Sequence, residues 1–155
     1  MFWNKKTKAN LGVVLMIAAV FVLCPGNAKA DFVFGTPTNL GPTVNSSYAD
    51  PNPSISADGL ELYFESYRSG GYGSGDLYVS TRSTTQDPWG VPVNLGPTIN
   101  TSGYDITPCI STDGLDLYFV SFRGAGGAIW MTRRATRNDN WSSPVNLGPI
   151  FNSGA

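Results

Sequence analysis

Glu65 stands where chemistry would break the internal symmetry of this chain. The residues around it recur 55 positions later, yet its counterpart there is Val120. A lone acid inside a repeated frame is what a grafted active site looks like, because functional positions are where local rules are broken. Glycoside hydrolysis, of the glycosidase or sialidase kind, asks for a second carboxylate about 5–10 Å from the first. No second nonrepeated carboxylate falls at an evident separation, so that chemistry stays the alternative. Arg68 and Arg123 recur as a pair and each closes a strand. Their planar guanidinium groups suit bidentate capture of a carboxylate ligand, or an ion pair with Asp50 or Asp58 and with Asp105 or Asp113 in their own unit. Histidine is absent altogether. That removes Ser-His-Asp catalysis, Cys-His nucleophiles and histidine metal sites together.

Asp58-Gly59 and Asp113-Gly114 also recur at matching places. Equivalent turns one unit apart do not make a converging catalytic pair. Their expected task is structural: Asp caps the turn by accepting backbone N–H bonds, and Gly supplies positive φ in a tight primed hairpin. Calcium is a candidate for these turns and for the Asp50 and Asp105 loops, since it takes hard oxygen ligands. No loop has the dense Asp/Asn spacing of a dedicated calcium motif, so no cofactor is expected. Among the aromatics, Tyr63, Tyr67, Tyr78, Tyr104, Tyr118, Trp89, Trp130 and Trp141 mostly recur and read as packing. Tyr72 lies in a glycine-rich loop that is longer in the first unit, which makes it the better contact candidate.

The elements that must position these residues follow from the repeat. Pro-Val-Asn-Leu-Gly-Pro at 92–97 returns at 144–149 and, slightly altered, at 37–42. Residues 53–68 align with 108–123 at an offset of 55; beyond the glycine loops at 69–75 and 124–127 the offset drops to 52. Loss of three residues from a surface loop costs little. Each unit reads as four strands, at 53–57, 60–67, 76–82 and 89–95, then at 108–112, 115–122, 128–134 and 141–147. Leu-x-Leu-x-Phe alternation in the second strand sends one set of side chains toward the neighbouring unit. Tyr63 and Tyr118 fall on the opposite face, which stacking also covers. Prolines in the fourth strand suit an outer edge. No sustained helical periodicity follows residue 30, and a period near fifty built from short strands and glycine turns predicts stacked sheets.

The string Pro-x-Ile-Ser-x-Asp-Gly-Leu-x-Leu-Tyr-Phe, then Ser-x-Arg, a glycine loop and Asp-Leu-Tyr-Val-Ser, resembles the WD40-like β-propeller repeats of the TolB type in exported bacterial proteins. The Trp…Pro-Val-Asn-Leu-Gly joint and the acids Asp50 and Asp105 belong to the same resemblance, which covers nearly all of 31–153. It implies an all-β, partial β-propeller of two four-stranded antiparallel blades, at about 50–97 and 105–149, with an orphan strand near 32–39. Ala57 and Thr112 replace a usual proline, and Ala128 replaces the aspartate seen at Asp76. Closed propellers hold about four to eight blades. Two blades imply either a fragment of a longer product, as the stop at Ala155 just after a joint phrase suggests, or self-assembly that completes a ring.

The first thirty residues read as an export signal with a helical segment. Lys5, Lys6 and Lys8 precede an uncharged run of 13 residues at 11–23, and Ala28-Lys29-Ala30 offers a cleavage site before Asp31. The run is shorter than the roughly 20 residues a membrane span needs, so no integral anchor is expected, and Leu23 before Cys24 is bulky for a lipidation site. Cleavage leaves 31–155, with six arginines against 11 acidic residues and a net charge of −5. That balance argues against nucleic acid and anionic membrane as partners. Cys109 is then the sole thiol, expected to be buried and inert. The sequence therefore points to an exported, periplasmic or extracellular, non-catalytic module. Its expected partners are proteins or cell-envelope polymers, with Arg68, Tyr72, Arg123 and Glu65 as candidate contacts.

Overall fold

A computed structural model describes residues 35–124 and 126–152. The export segment expected at 1–30 and its expected cleavage site lie outside the described residues. So does the start of the strand expected near 32–39, and its described part, 35–39, carries no strand. Residues from Thr38 onward belong to one compact unit. Within it, β1 (Ser54–Ile55), β2 (Glu61–Ser66), β3 (Asp76–Thr81) and β4 (Val93–Asn94) form a first sheet, and β5 (Asp105–Ile110), β6 (Asp116–Ser121), β7 (Ala128–Arg133) and β8 (Val145–Asn146) form a second. Both sheets are four-stranded antiparallel meanders in chain order. Their registers correspond: Tyr63 faces Val79 across the first sheet, and Tyr118 faces Met131 across the second. No helix occurs among the described residues.

The outer strands are shorter than expected. β4 and β8 hold two residues each, because Pro92 and Pro144 have no N–H to give the ladder. Trp89 and Trp141 leave the strand direction and pack inward against the cores. β5 is longer than expected and starts at Asp105. It carries a bulge between Ile106 and Cys109, where Thr107 takes φ 51°. The hairpin turns also differ. Gly59 N–H donates to Ser56 O at 2.8 Å and Gly114 N–H to Ser111 O at 2.9 Å, so Ala57-Asp58 and Thr112-Asp113 are the central pairs. Only the glycines, at φ 73° and 75°, take the left-handed conformation. This is a type I turn followed by a left-handed glycine, not a primed two-residue turn. The aspartates do cap it: Asp58 Oδ1 accepts from Leu60 N–H at 3.1 Å, and Asp113 Oδ1 from Leu115 N–H at 3.0 Å.

Both faces of β2 are buried. On its front, Leu62 and Phe64 pack with Val44, Tyr78 and Trp89. On its back, Tyr63 meets Ile110, Leu117 and Trp141 of the second sheet. The seam between the sheets therefore joins the back of the first to the front of the second, where Phe119 and Ile99 also close over Leu77. Leu62 is 6% exposed and Leu117 fully buried. Two expectations fail on the back of the second sheet. Cys109 is exposed there, and Tyr118 is 36% exposed where Tyr63 is 1%. Each sits one repeat after a residue of the seam, but no described residues cover them.

The repeated joint phrase is a clasp. Asn94 Oδ1 accepts from Gly96 N–H and from Asn100 Nδ2, both at 2.8 Å. Asn100, 2% exposed, bonds Leu77 N–H at 2.8 Å and Leu77 O at 3.0 Å on β3 of the first sheet. One residue earlier, Ile99 drops its side chain into the seam and offers its carbonyl to Arg123 Nη2 at 2.6 Å. One short loop thus fastens one sheet to the next.

Candidate binding surface at the seam

Three aromatic residues meet at one end of the seam. Tyr67 follows β2, Tyr104 precedes β5 and Phe122 follows β6. Tyr104 lies edge-on to both neighbours, with ring centroids 6.4 Å from Tyr67 and 6.0 Å from Phe122. The three are 38%, 43% and 43% exposed, so the ridge combines packed edges with open faces. Main-chain bonds hold it rigidly: Asp105 N–H to Gly75 O at 2.9 Å, Ser74 N–H to Gly103 O at 3.0 Å and Phe122 N–H to Tyr104 O at 2.8 Å. Glycine is needed beneath it, since a Cβ at Gly127 would meet the Phe122 ring at 2.7 Å.

The longer glycine loop at 69–75 lies beside this ridge. Asp76, which the second unit replaces by Ala128, explains its shape. Its carboxylate accepts from Tyr72 N–H at 2.6 Å, Gly73 N–H at 3.1 Å and Asn94 Nδ2 at 2.9 Å. The bonds pull the loop into a tight curl that packs on 101–103 and leaves Tyr72 half exposed.

Glu65 lies under the ridge. It is 1% exposed, and Asn52 Nδ2 donates to its Oε2 at 2.8 Å. Asn52 itself sits at φ 55°, a region non-glycine residues seldom occupy. The Tyr67 phenol is hydrogen-bonded to Glu65, which with partial burial and the nearby negative charge pushes its pKa up to about 12. None of the described ion pairs includes Glu65. Its named partners are an amide and a phenol, not a second carboxylate.

The two candidate arginines do not converge. Arg68 Nη2 pairs with Asp50 Oδ1 at 2.8 Å and bonds Val44 O at 2.8 Å, while its guanidinium lies 4.8 Å from the Tyr78 ring centroid. Arg123 repeats this with Asp105 at 3.2 Å, Ile99 O and Trp130 at 4.6 Å. Of the acids suggested by sequence, Asp50 and Asp105 are the partners of these arginines. Asp58 pairs across the seam with Arg137. Burial alone would raise the Asp50 carboxyl. The hydrogen bonds from Arg68, Ser66 and Ser46 outweigh that and hold it below its ordinary 3.8. Asp50 and Asp105, considered above for calcium, thus have their oxygens taken by Arg, Ser and Thr donors. Among the described residues no three acidic or thiol side chains gather as a metal site.

Elsewhere on the seam a cleft of about 360 Å³ opens between Leu95, Ile99 and Trp141, with Thr98, Asp139 and Asn140 lining it. Tyr104 and Asn52 are the residues that sequence reasoning passed over. At the offset of 55, Tyr104 stands against Ala49; that mismatch marks Tyr104 as clearly as the loop insertion marks Tyr72. Asn52 matches Thr107, and both carry positive φ, which no residue pattern announced.

No protein-family model matches the chain, and a search of curated proteins finds no relative.

Proposed function

We propose that the chain is an exported, non-catalytic binding module, a portion of a WD40-like β-propeller, that holds a protein segment or a neutral cell-envelope polymer across the seam. Tyr67, Tyr104, Phe122 and Tyr72 make the contact surface. The supporting observation is the ridge itself: three large aromatic side chains, each 38–43% exposed, held edge to edge by backbone bonds. Exposed apolar surface that is rigid and contiguous marks an interaction site more often than scattered apolar residues do. Aromatic faces stack on sugar C–H groups and on peptide side chains alike, and the Tyr67 and Tyr104 hydroxyls supply polar anchors at the rim. Glu65 acts from below by fixing the Tyr67 hydroxyl.

The hydrolytic alternative requires a second carboxylate poised for proton transfer, and the bonded neighbours of Glu65 are Asn52 and Tyr67. Binding without turnover is the better fit. The test is retention of the protein on insoluble cell-wall polymer and on immobilised envelope proteins, with Tyr104→Ala and Phe122→Ala beside the wild type. An aromatic contact contributes roughly 0.5–1.5 kcal/mol beyond its buried area, so each variant is expected to bind about tenfold more weakly. Absence of wild-type retention, or variants that bind as well as wild type, overturns the proposal.

A further inference from the structure

The cleft on the seam shares no residue with the aromatic ridge, and both units contribute to its walls. Val79, Leu95, Ile99 and Trp141 give it apolar sides, and Thr98, Asp139 and Asn140 give it a polar rim. Its volume of about 360 Å³ falls at the lower end of small-ligand sites, which run from about 300 to 1,000 Å³. The apolar walls are fixed. Ile99 is fully buried, Leu95 packs against both clusters that join the sheets, and Leu95 N–H donates to Leu77 O at 3.0 Å. Asn94 also lines the cleft, but its amide is committed: Oδ1 accepts from Gly96 N–H and Asn100 Nδ2, and Nδ2 donates to Asp76 at 2.9 Å.

The rim is positioned but not satisfied. Asp139 Oδ2 accepts from the Thr136 N–H and hydroxyl, both at 2.8 Å, which orients the carboxylate and leaves Oδ1 without a donor among the described residues. The exposed Thr98 hydroxyl and Asn140 amide likewise take no partner there. Asn140 also breaks the repeat. Asp139 and Trp141 match Asp87 and Trp89 at the offset of 52, but Asn140 matches Pro88. The turn itself does not need the amide, because both copies follow the same course: Asp87 N–H reaches Thr84 O and Asp139 N–H reaches Thr136 O, each at 3.1 Å. Charge then selects the ligand. No basic residue lines the cleft, and Asp139 repels an anion. A cation would find the π surface of Trp141 already engaged by Arg134, whose guanidinium lies 4.5 Å from the ring centroid. A wholly apolar ligand would strip water from the carboxylate and return no hydrogen bond. A neutral polyol meets every condition, with hydroxyls for the rim and C–H groups for the walls.

We propose that this cleft binds one neutral sugar unit. Its hydroxyls donate to Asp139 Oδ1 and exchange hydrogen bonds with Asn140 and Thr98, while its ring C–H groups rest against Leu95, Ile99 and Trp141. The unit is a free sugar or the end of a glycan, since both offer the same hydroxyls. This goes beyond the ridge reading, uses none of its residues and is tested with small soluble ligands, so either stands or falls without the other.

The experiment is saturation-transfer NMR on the protein produced from its full reading frame, as its host processes it. The probes are the methyl glycosides of glucose, mannose, galactose and N-acetylglucosamine, with protonated glucosamine and glucuronate as charged counterparts. At least one neutral glycoside is expected to show saturable transfer, with a Kd of the order of 1 mM for so small a ligand. Both charged sugars should bind about tenfold more weakly or worse. Asn140→Pro installs the residue that the first unit carries, and Thr98→Val removes a hydroxyl at nearly constant shape. Each should weaken binding about fivefold, the share of one hydrogen bond, with Tm unchanged. A disaccharide that binds as tightly as its terminal sugar supports seating of a glycan end, and a weaker one supports a free sugar. Absence of transfer from every neutral glycoside overturns the proposal. So does tighter binding of either charged sugar, or a pair of variants that bind as well as the wild type.

Discussion

Replacing Arg123 by alanine probes the joint between clasp and sheet most directly. The guanidinium gives Nη2 to Ile99 O at 2.6 Å and to Asp105 Oδ1 at 3.2 Å, gives Nε to Ser121 Oγ at 2.8 Å, and lies over Trp130. The Asp105 side chain is fully buried and that of Arg123 is 17% exposed. Truncation leaves Asp105 with only the Thr101 N–H and hydroxyl, both on Oδ2, at 2.6 and 2.7 Å. Its Oδ1 and the Ile99 carbonyl then lose their named donor. Breaking a buried pair by removing one partner costs about 3–5 kcal/mol. At about 4 °C per kcal/mol for a domain of this size, Tm should fall by about 12–20 °C. Urea denaturation of wild type, Arg123→Ala and Arg123→Ala/Asp105→Asn gives the comparison. The double variant should recover part of the loss, because the stranded charge is gone. Arg123→Lys should fall between, since an ammonium cannot reproduce the fork. A loss under about 1 kcal/mol, the range of solvent-exposed pairs, refutes the reasoning.

Three further outcomes are expected. Gly73→Ala drives a Cβ into the Gly103 and Thr101 carbonyl oxygens; it should destabilise the protein by about 1–3 kcal/mol and loosen the Tyr72 loop, read by limited proteolysis. Glu65→Gln removes the acceptor charge that raises Tyr67, so spectrophotometric titration should show one phenol moving from about 12 toward 10. Because the wild-type folded phenol keeps its proton longer than the unfolded one, stability is fully present below pH 10 and is lost as pH rises through about 12. At the acid end, Asp50 is held below 3.8, so its contribution is present above that value and is lost as pH falls through the lower folded pKa. Urea midpoints should therefore decline below about pH 4, and Arg68→Ala, which leaves burial less opposed and brings the folded carboxyl back toward its unfolded value, should make that decline shallower.

What the residues determined by themselves is local. Asp58 and Asp113 cap turns in which Gly59 and Gly114 take positive φ, but the turns are not primed pairs, because Ala57 and Thr112 share the corner with the aspartates. Four strands per unit and the indel in the glycine loop were legible because alternation and turn chemistry act within a few residues. The clasp, repeated nearly word for word, binds through Asn94 and Asn100 across six positions and one adjacent strand. Tertiary structure decided which side of each strand is covered. Cys109 and Tyr118 follow the same pattern as Ser54 and Tyr63, yet they lie open where the earlier pair is covered. The Tyr67–Tyr104–Phe122 ridge and the Asn52–Glu65 bond join residues from separate segments of the chain. Their proximity comes from how one sheet settles on the next, and burial is a property of that neighbour and not of the residue.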